Sequence, residues 1–172
     1  MKMEEFYEFV KNRRSIRKFL SKEVENEKIE KILKIMKEAP SAGNLQAYKV
    51  IIVKNEKIKK EICKACFHQK FIEEAPLVFV FFAKPKISSI YYGKRGTFYS
   101  ILDATIAATY AMLAIHCLDL STCWVSAFND EELIKILKED GIPIAVFPIG
   151  YPAEKPKHPG RKELKELVKE IS

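Results

Sequence analysis

The chain has 172 residues, 48% of them hydrophobic and 31% charged, with a formal net charge of +7. That length supports one domain, spanning residues 1–172, with a real core, and the composition excludes a disordered chain. Lysine alternates with glutamate along the helical patterns, so the positive balance reads as solvated faces rather than as a nucleic-acid surface.

The opening Met1-Lys2-Met3-Glu4-Glu5 is charged and lacks the apolar run of a secretory leader, so a cytoplasmic address is expected. A helix is predicted from Met3 to Lys11, with Met3, Phe6 and Val10 on one face. Three arginines and a serine follow at Arg13-Arg14-Ser15-Ile16-Arg17. Asn26 is expected to cap a second helix whose stripe is Ile29, Ile32, Leu33 and Met36, and Pro40 to end it. Ser41 to Gln46 is then a small-residue loop. Tyr48–Val53 is expected as a buried strand and Asn55 as the cap of a third helix reaching about Cys66. Leu77–Ala83, unbroken by polar residues, has the pattern of an interior strand. Residues 84–97, with one proline and two glycines, read as an irregular stretch or lid. Ser100 and Asp103 suggest a capping box opening a long apolar helix to Leu118, and a helix without a wet face belongs in a core or a subunit interface. Asp103, Thr105, Thr109 and His116 interrupt it, which argues against a membrane span. A strand at 121–125, a helix capped by Asn129, a strand at 144–149 and a helically spaced tail from Arg161 complete the order. The fold class expected is α+β, a central, mostly antiparallel sheet of about four strands flanked by helices.

The chemistry is narrowed first by what is missing. The six glycines, at 43, 93, 96, 141, 150 and 160, form neither a dinucleotide fingerprint nor a phosphate loop, so a nucleotide phosphate would have to be held by side chains. Three dispersed histidines propose no metal centre, and no hydrolytic nucleophile motif is present. Cys63-Lys64-Ala65-Cys66, near His68, admits either a redox pair or a structural role on its helix. Redox chemistry would otherwise need an organic cofactor. The Arg13–Arg17 cluster contains no acid and suits a phosphate, because a guanidinium gives two parallel charge-assisted hydrogen bonds. A solvated basic turn is the plainer alternative. The Pro40–Gln46 loop would let a planar ligand approach the backbone, although it also reads as an ordinary helix stop.

Taken in this order, these segments resemble the nitroreductase family of FMN-dependent oxidoreductases, and the resemblance runs along nearly the whole chain. Arg13, Arg14, Ser15 and Arg17 match the family's N-terminal segment for the FMN phosphate and ribityl chain. Pro40, Ser41, Ala42, Gly43 and Asn44 match its Pro-Ser-x-x-Asn loop, which in the family reaches the ring of the partner subunit's flavin. The Pro-Trp that usually follows is Ala47-Tyr48 here. Gln69 corresponds to a contact on the pyrimidine edge. Leu120–Phe128 is similar to a family run that packs on the ring, which implicates Trp124, Val125 and Ser126, although Ser126 and Ala127 stand where glycine is usual. Phe147–Glu154 resembles the closing strand and turn, and Arg161 matches a basic tail residue that returns to the phosphate. The resemblance implies a nitroreductase-like homodimer with flavin sites at its interface. Hydride would pass from NADH or NADPH through flavin N5 to an electron-poor acceptor, a nitroaromatic or quinone, in a ping-pong cycle without a catalytic side chain or metal. Neither a nucleic acid nor a membrane is an expected partner. A flavin carrier or regulator, or a related flavoenzyme that dehalogenates or fragments flavin, is the alternative.

Overall fold

The computed structural model describes residues 2–171. Met1, at the head of the segment read for a leader, and Ser172, at the end of the expected domain, lie outside the described residues. In chain order the elements are α1 (Met3–Asn12), α2 (Asn26–Lys37), a 3-10 turn at Ala42–Asn44, β1 (Tyr48–Val53), α3 (Glu56–Ala65), α4 (Phe71–Glu74) and β2 (Leu77–Ala83). Then follow α5 (Pro85–Tyr92), a second 3-10 turn at Gly93–Arg95, α6 (Gly96–Cys117), β3 (Ser121–Thr122), α7 (Asp130–Leu137), β4 (Ile142–Gly150) and α8 (Leu164–Leu167). The four strands form one antiparallel sheet in the order β1-β2-β4-β3.

All seven residues of β2 are buried, which requires cover on both sheet faces. Leu77, Phe79 and Phe81 point to one side, against Ile32 and Met36 of α2 and Ala107, Ala108 and Ala111 of α6. Val78, Val80 and Phe82 point to the other, against Ile62 of α3, Ile72 of α4 and Leu133 of α7. The period-two alternation of a strand thus divides one apolar run between two cores. β1, by contrast, is an edge strand in which only Val53 is fully buried, so the expectation of a buried strand there is corrected.

Several boundaries also differ from the sequence reading. Asn26 is the first residue of α2 rather than its cap, which is Glu25, and the Asn26 side-chain oxygen accepts a bond from Lys54 Nζ at 2.7 Å. Residues 84–97 are helical, not irregular. Pro85 occupies the first turn of α5, where a missing N–H costs nothing, and Gly96 opens α6 because its bare Cα lies against Ser89. The capping box fails with it: Ser100 sits inside α6 and its hydroxyl donates to Thr97 O at 2.8 Å. The strand expected at 121–125 is reduced to Ser121–Thr122 plus an isolated pairing of Val125 with Val146. The final strand is longer than 144–149, and the tail from Arg161 forms one exposed turn.

Asn55 and Asn129 cap as expected, Asn55 Oδ1 accepting from the backbone N–H groups of Lys57 and Ile58 at 3.0 and 3.1 Å. Asn55→Ala should cost about 1 kcal/mol in urea unfolding. At the other end of the sheet Lys84 Nζ meets Glu139 Oε1 at 2.7 Å and also Asp140, while Lys49 Nζ reaches Glu139 Oε2 at 2.7 Å. Bonds from Lys49 and Lys84 hold Glu139 below its ordinary value, and bonds from Lys84 and Lys86 hold Asp140 down at about 2. Folded values below the unfolded ones mean stability that is present at neutral pH and lost on acidification. Tm should hold to about pH 5 and fall between about pH 4.5 and 2, less steeply in the Glu139→Gln, Asp140→Asn double variant.

Candidate functional site

The chain leaving α1 is extended and runs along the β3 edge of the sheet. Ser15 pairs with Thr122 in parallel, Ile16 N–H donates to Thr122 O at 3.1 Å, and Leu20 N–H donates to Tyr151 O at 2.9 Å. Ile16 is buried and anchors this strap, so its neighbours Ser15 and Arg17 are turned away from the core. Burial raises the Cys123 thiol from its ordinary value, against the lowering effect of Arg17, Ser15 and Arg13 nearby.

Here the positive groups collect. Burial lowers the Arg13 guanidinium from its ordinary value, and Arg161 and Arg14 push it further the same way. His158 is lowered by desolvation and then by Arg14, Arg161 and Lys11. His116 of α6 is lowered by burial, against its hydrogen bond to Phe9 O at 3.1 Å, and then by Arg13 and Arg14. Among the described residues no carboxylate forms an ion pair with Arg13, Arg14, Arg17 or Arg161. Arg14 donates to its own chain, to Lys11 O at 2.6 Å and Arg13 O at 2.9 Å. A narrow cavity between Arg13, Arg14, His116 and Ser121 is also lined by Thr122, whose buried hydroxyl has no hydrogen-bond partner. Like charges gathered without a counterion, beside an orphaned hydroxyl, are suited to a multivalent anion.

The run after β3 forms the adjoining wall. Trp124 packs edge-on against Phe147 at 5.1 Å between ring centres, and its indole N–H donates to Ser126 Oγ at 2.7 Å. Val125 is buried, exchanging backbone bonds with Val146 at 3.1 and 2.9 Å. Gln69 is tied to this wall: its side-chain amide donates to Cys66 O at 3.0 Å and Ala127 O at 3.3 Å. Arg17 lies 5.9 Å from the Phe71 ring centre, and its backbone N–H donates to Glu154 Oε1 at 2.6 Å.

The loop at Pro40–Gln46 is not part of this cluster. Gly43, Asn44 and Gln46 have φ of 59°, 57° and 44°, a left-handed run that glycine and asparagine tolerate best. A Cβ at Gly43 would strike the Tyr92 hydroxyl. Pro40, Ser41 and Ala42, with Tyr99, Leu102, Asp103 and Ile106, line a shallow cavity of about 170 Å³. Its α6 contact, Asp103, precedes His116 by thirteen residues, or roughly 20 Å of helix. One chain therefore brings Arg13, Arg14, Ser15, Arg17, Arg161, Gln69 and Trp124–Ser126 to the β3 edge, and leaves Pro40, Ser41, Ala42 and Asn44 about 20 Å away.

Other candidates fall away. Cys63 and Cys66 are buried free thiols, with Cys66 pushed up to about 12 by burial and by Cys63, so neither is a ready thiolate. Among the described residues no group of three or more His, Cys, Asp or Glu side chains could hold a metal. A cleft of about 640 Å³ lies elsewhere, lined by Phe19, Lys59, Glu74 and Pro76 among others. Buried Lys59 is engaged there by Ala75 O at 2.6 Å and Glu56 Oε1 at 2.7 Å. Sequence reasoning missed Asp103, His116 and Thr122 at the two candidate regions. Asp103 had a signal, an acid inside an apolar helix, which was assigned to a capping box.

A profile described as the Nitroreductase family matches residues 10–69 and 64–151. The chain belongs to the nitroreductase family. It is 34% identical over 158 residues to a protein of Archaeoglobus fulgidus described as a putative NADH dehydrogenase/NAD(P)H nitroreductase, covering 88% of each chain. An FMN-dependent nitroreductase from Clostridium difficile R20291 is 30% identical, with a TM-score of 0.76 over 88% of this chain and 90% of that one. Bacillus megaterium NfrA2 shares the fold at a TM-score of 0.89 and 24% identity, over 99% of this chain and 75% of that one. Whether the arginine cluster of this nitroreductase-family member takes an anion is directly testable. If it does, inorganic phosphate near ten times its Kd should raise Tm by about 3–6 °C over chloride at equal ionic strength, and Arg13→Gln should abolish most of the gain.

Proposed function

We propose that this protein is an FMN-dependent oxidoreductase that takes hydride from NADH or NADPH and passes it to an electron-poor acceptor, a nitroaromatic, quinone or similar compound, by a ping-pong mechanism. The observation that carries the reading is the acid-free cluster of Arg13, Arg14 and Arg161, with the unpartnered Thr122 hydroxyl beside Arg13 and Arg14, in a chain of this family. The cluster suits a phosphate monoester dianion, with cations to neutralise it. Ser15 and Arg17 follow on the same strap and would hold the ribityl chain.

Bound FMN would supply the hydride acceptor and donor that no side chain provides. The chain's own residues position and enclose it. Trp124, braced on Phe147 and Ser126, forms a rigid wall with Val125 and Ser126, and Gln69 fixes that wall through Ala127 O. With both amide hydrogens engaged, Gln69 has its Oε1 left to accept from the ring's pyrimidine edge. NAD(P)H and the acceptor would use one position in turn.

The loop residues Pro40, Ser41, Ala42 and Asn44 lie too far along α6 to meet a flavin held by their own arginines, which supports a homodimer with two shared sites. The outward side of α6 fits that arrangement: Phe98 and Leu102 remain 51% and 40% exposed on a helix that is apolar on every face. Within the sheet-centred unit of residues 1–172, four free thiols suit a reducing, cytoplasmic setting.

Purified protein, loaded with FMN if needed, should be yellow, bleach anaerobically with NADH or NADPH and recover with a quinone. A protein that takes up no FMN sinks the proposal, and one that is yellow but never bleached is a carrier. Arg13→Ala should weaken FMN binding at least tenfold, because hydrogen bonds to charged groups contribute about 1.5–3 kcal/mol.

A further inference from the structure

Asp103 is 1% exposed at the centre of an apolar helix, a costly place for a carboxylate unless its oxygens are bonded. Both are used, and neither by its own helix. Oδ1 accepts the backbone N–H of Ala42 at 2.8 Å, and Oδ2 accepts that of Ala47 at 3.3 Å. The two bonds grip the Pro40–Gln46 loop at either end of its left-handed run. Between them Ser41 Oγ accepts Gln46 N–H at 3.0 Å, and the Gln46 amide donates to Asn44 Oδ1 at 3.0 Å. The Tyr92 hydroxyl closes over Gly43. Three left-handed residues within four positions persist only when their surroundings hold them, and among the described residues Asp103 is the charged group bonded to this loop's backbone.

We propose that Asp103 is a positioning residue for the flavin. By fixing Ala42 and Ala47 it sets the loop in the shape that meets the ring across the subunit interface, so its loss loosens FMN as well as the fold. The proposal rests on the flavin reading above. Asparagine at this position keeps the size but turns an N–H donor toward one of the two amides, leaving that amide unpaired. Ala42→Pro removes one donor from the loop side. It leaves α6 untouched and suits a first helical position preceded by the extended Ser41 (φ −141°, ψ 156°).

The test compares Asp103→Asn and Ala42→Pro with Ala111→Gly, a buried α6 variant remote from the loop that lowers Tm for helix-propensity reasons. FMN Kd, the circular dichroism of the bound flavin's visible bands and amide exchange over residues 42–47 are measured on folded protein. Both loop-anchor variants should bind FMN about tenfold more weakly, alter the flavin dichroism and exchange faster at 42–47, whereas Ala111→Gly should change only Tm. If Asp103→Asn does not fold, Ala42→Pro decides by the same readings. A wild-type Kd and unaltered dichroism in either folded variant overturn the positioning role while leaving the flavin assignment standing. Wild-type protein that takes up no FMN overturns both.

Discussion

The burial of β2 on both faces is the constraint from which the rest of the arrangement follows. A seven-residue apolar strand with no wet side must lie inside the sheet, with helices above and below it. β1 and β4 are thereby placed beside it and β3 at the far edge. The loop that precedes β1 and the strap that lies along β3 then stand on opposite margins, about four strand spacings, or roughly 19 Å, apart. α6 crosses the Phe79 and Phe81 face between them, with Asp103 at the loop and His116 at the arginines. The distance between the two regions is thus a consequence of sheet width.

Against this frame the handling of charge is uneven in an informative way. Where structure alone is at stake, charges are paired. Lys84 sits between Glu139 and Asp140, Lys59 meets Glu56, and Tyr151 joins Lys28 to Glu25. At the β3 edge Arg13, His116 and His158 are each lowered, first by burial and then by neighbouring arginines, and none of Arg13, Arg14 and Arg161 is in an ion pair among the described residues. Mutual repulsion of this kind destabilises the free protein, and an anion at the site relieves it. Local rules broken together in one place mark a candidate functional site.

The Pro40–Gln46 loop is a second departure from local preference, of another kind. Its strain is conformational, and it is held by bonds that arrive from a residue some sixty positions later in the chain. Such an anchor transmits the position of α6 to the loop. α6 also leaves the apolar side chains of Phe98 and Leu102 exposed, so that surface and the loop geometry share one rigid element.

Much of this protein was legible in the order of its residues because the signals are local. The β-branched run at Tyr48–Val53, the apolar run at Leu77–Ala83 and the side-chain caps at Asn55 and Asn129 act within a few positions of themselves, and the structure has them where expected. The arginine strap, the proline loop and the Cys-Trp run pointed to the family for the same reason, since each is a contiguous motif. What depended on distant partners was not legible. Pro85 and Gly96 look like loop residues until α5 is seen lying against α6, and Asp103 looks like a cap until its carboxylate is seen holding Ala42 and Ala47. Only the tertiary structure could gather Arg161 with Arg13 and leave Thr122 unpartnered beside them, because a buried group's role depends on what the fold brings within bonding distance.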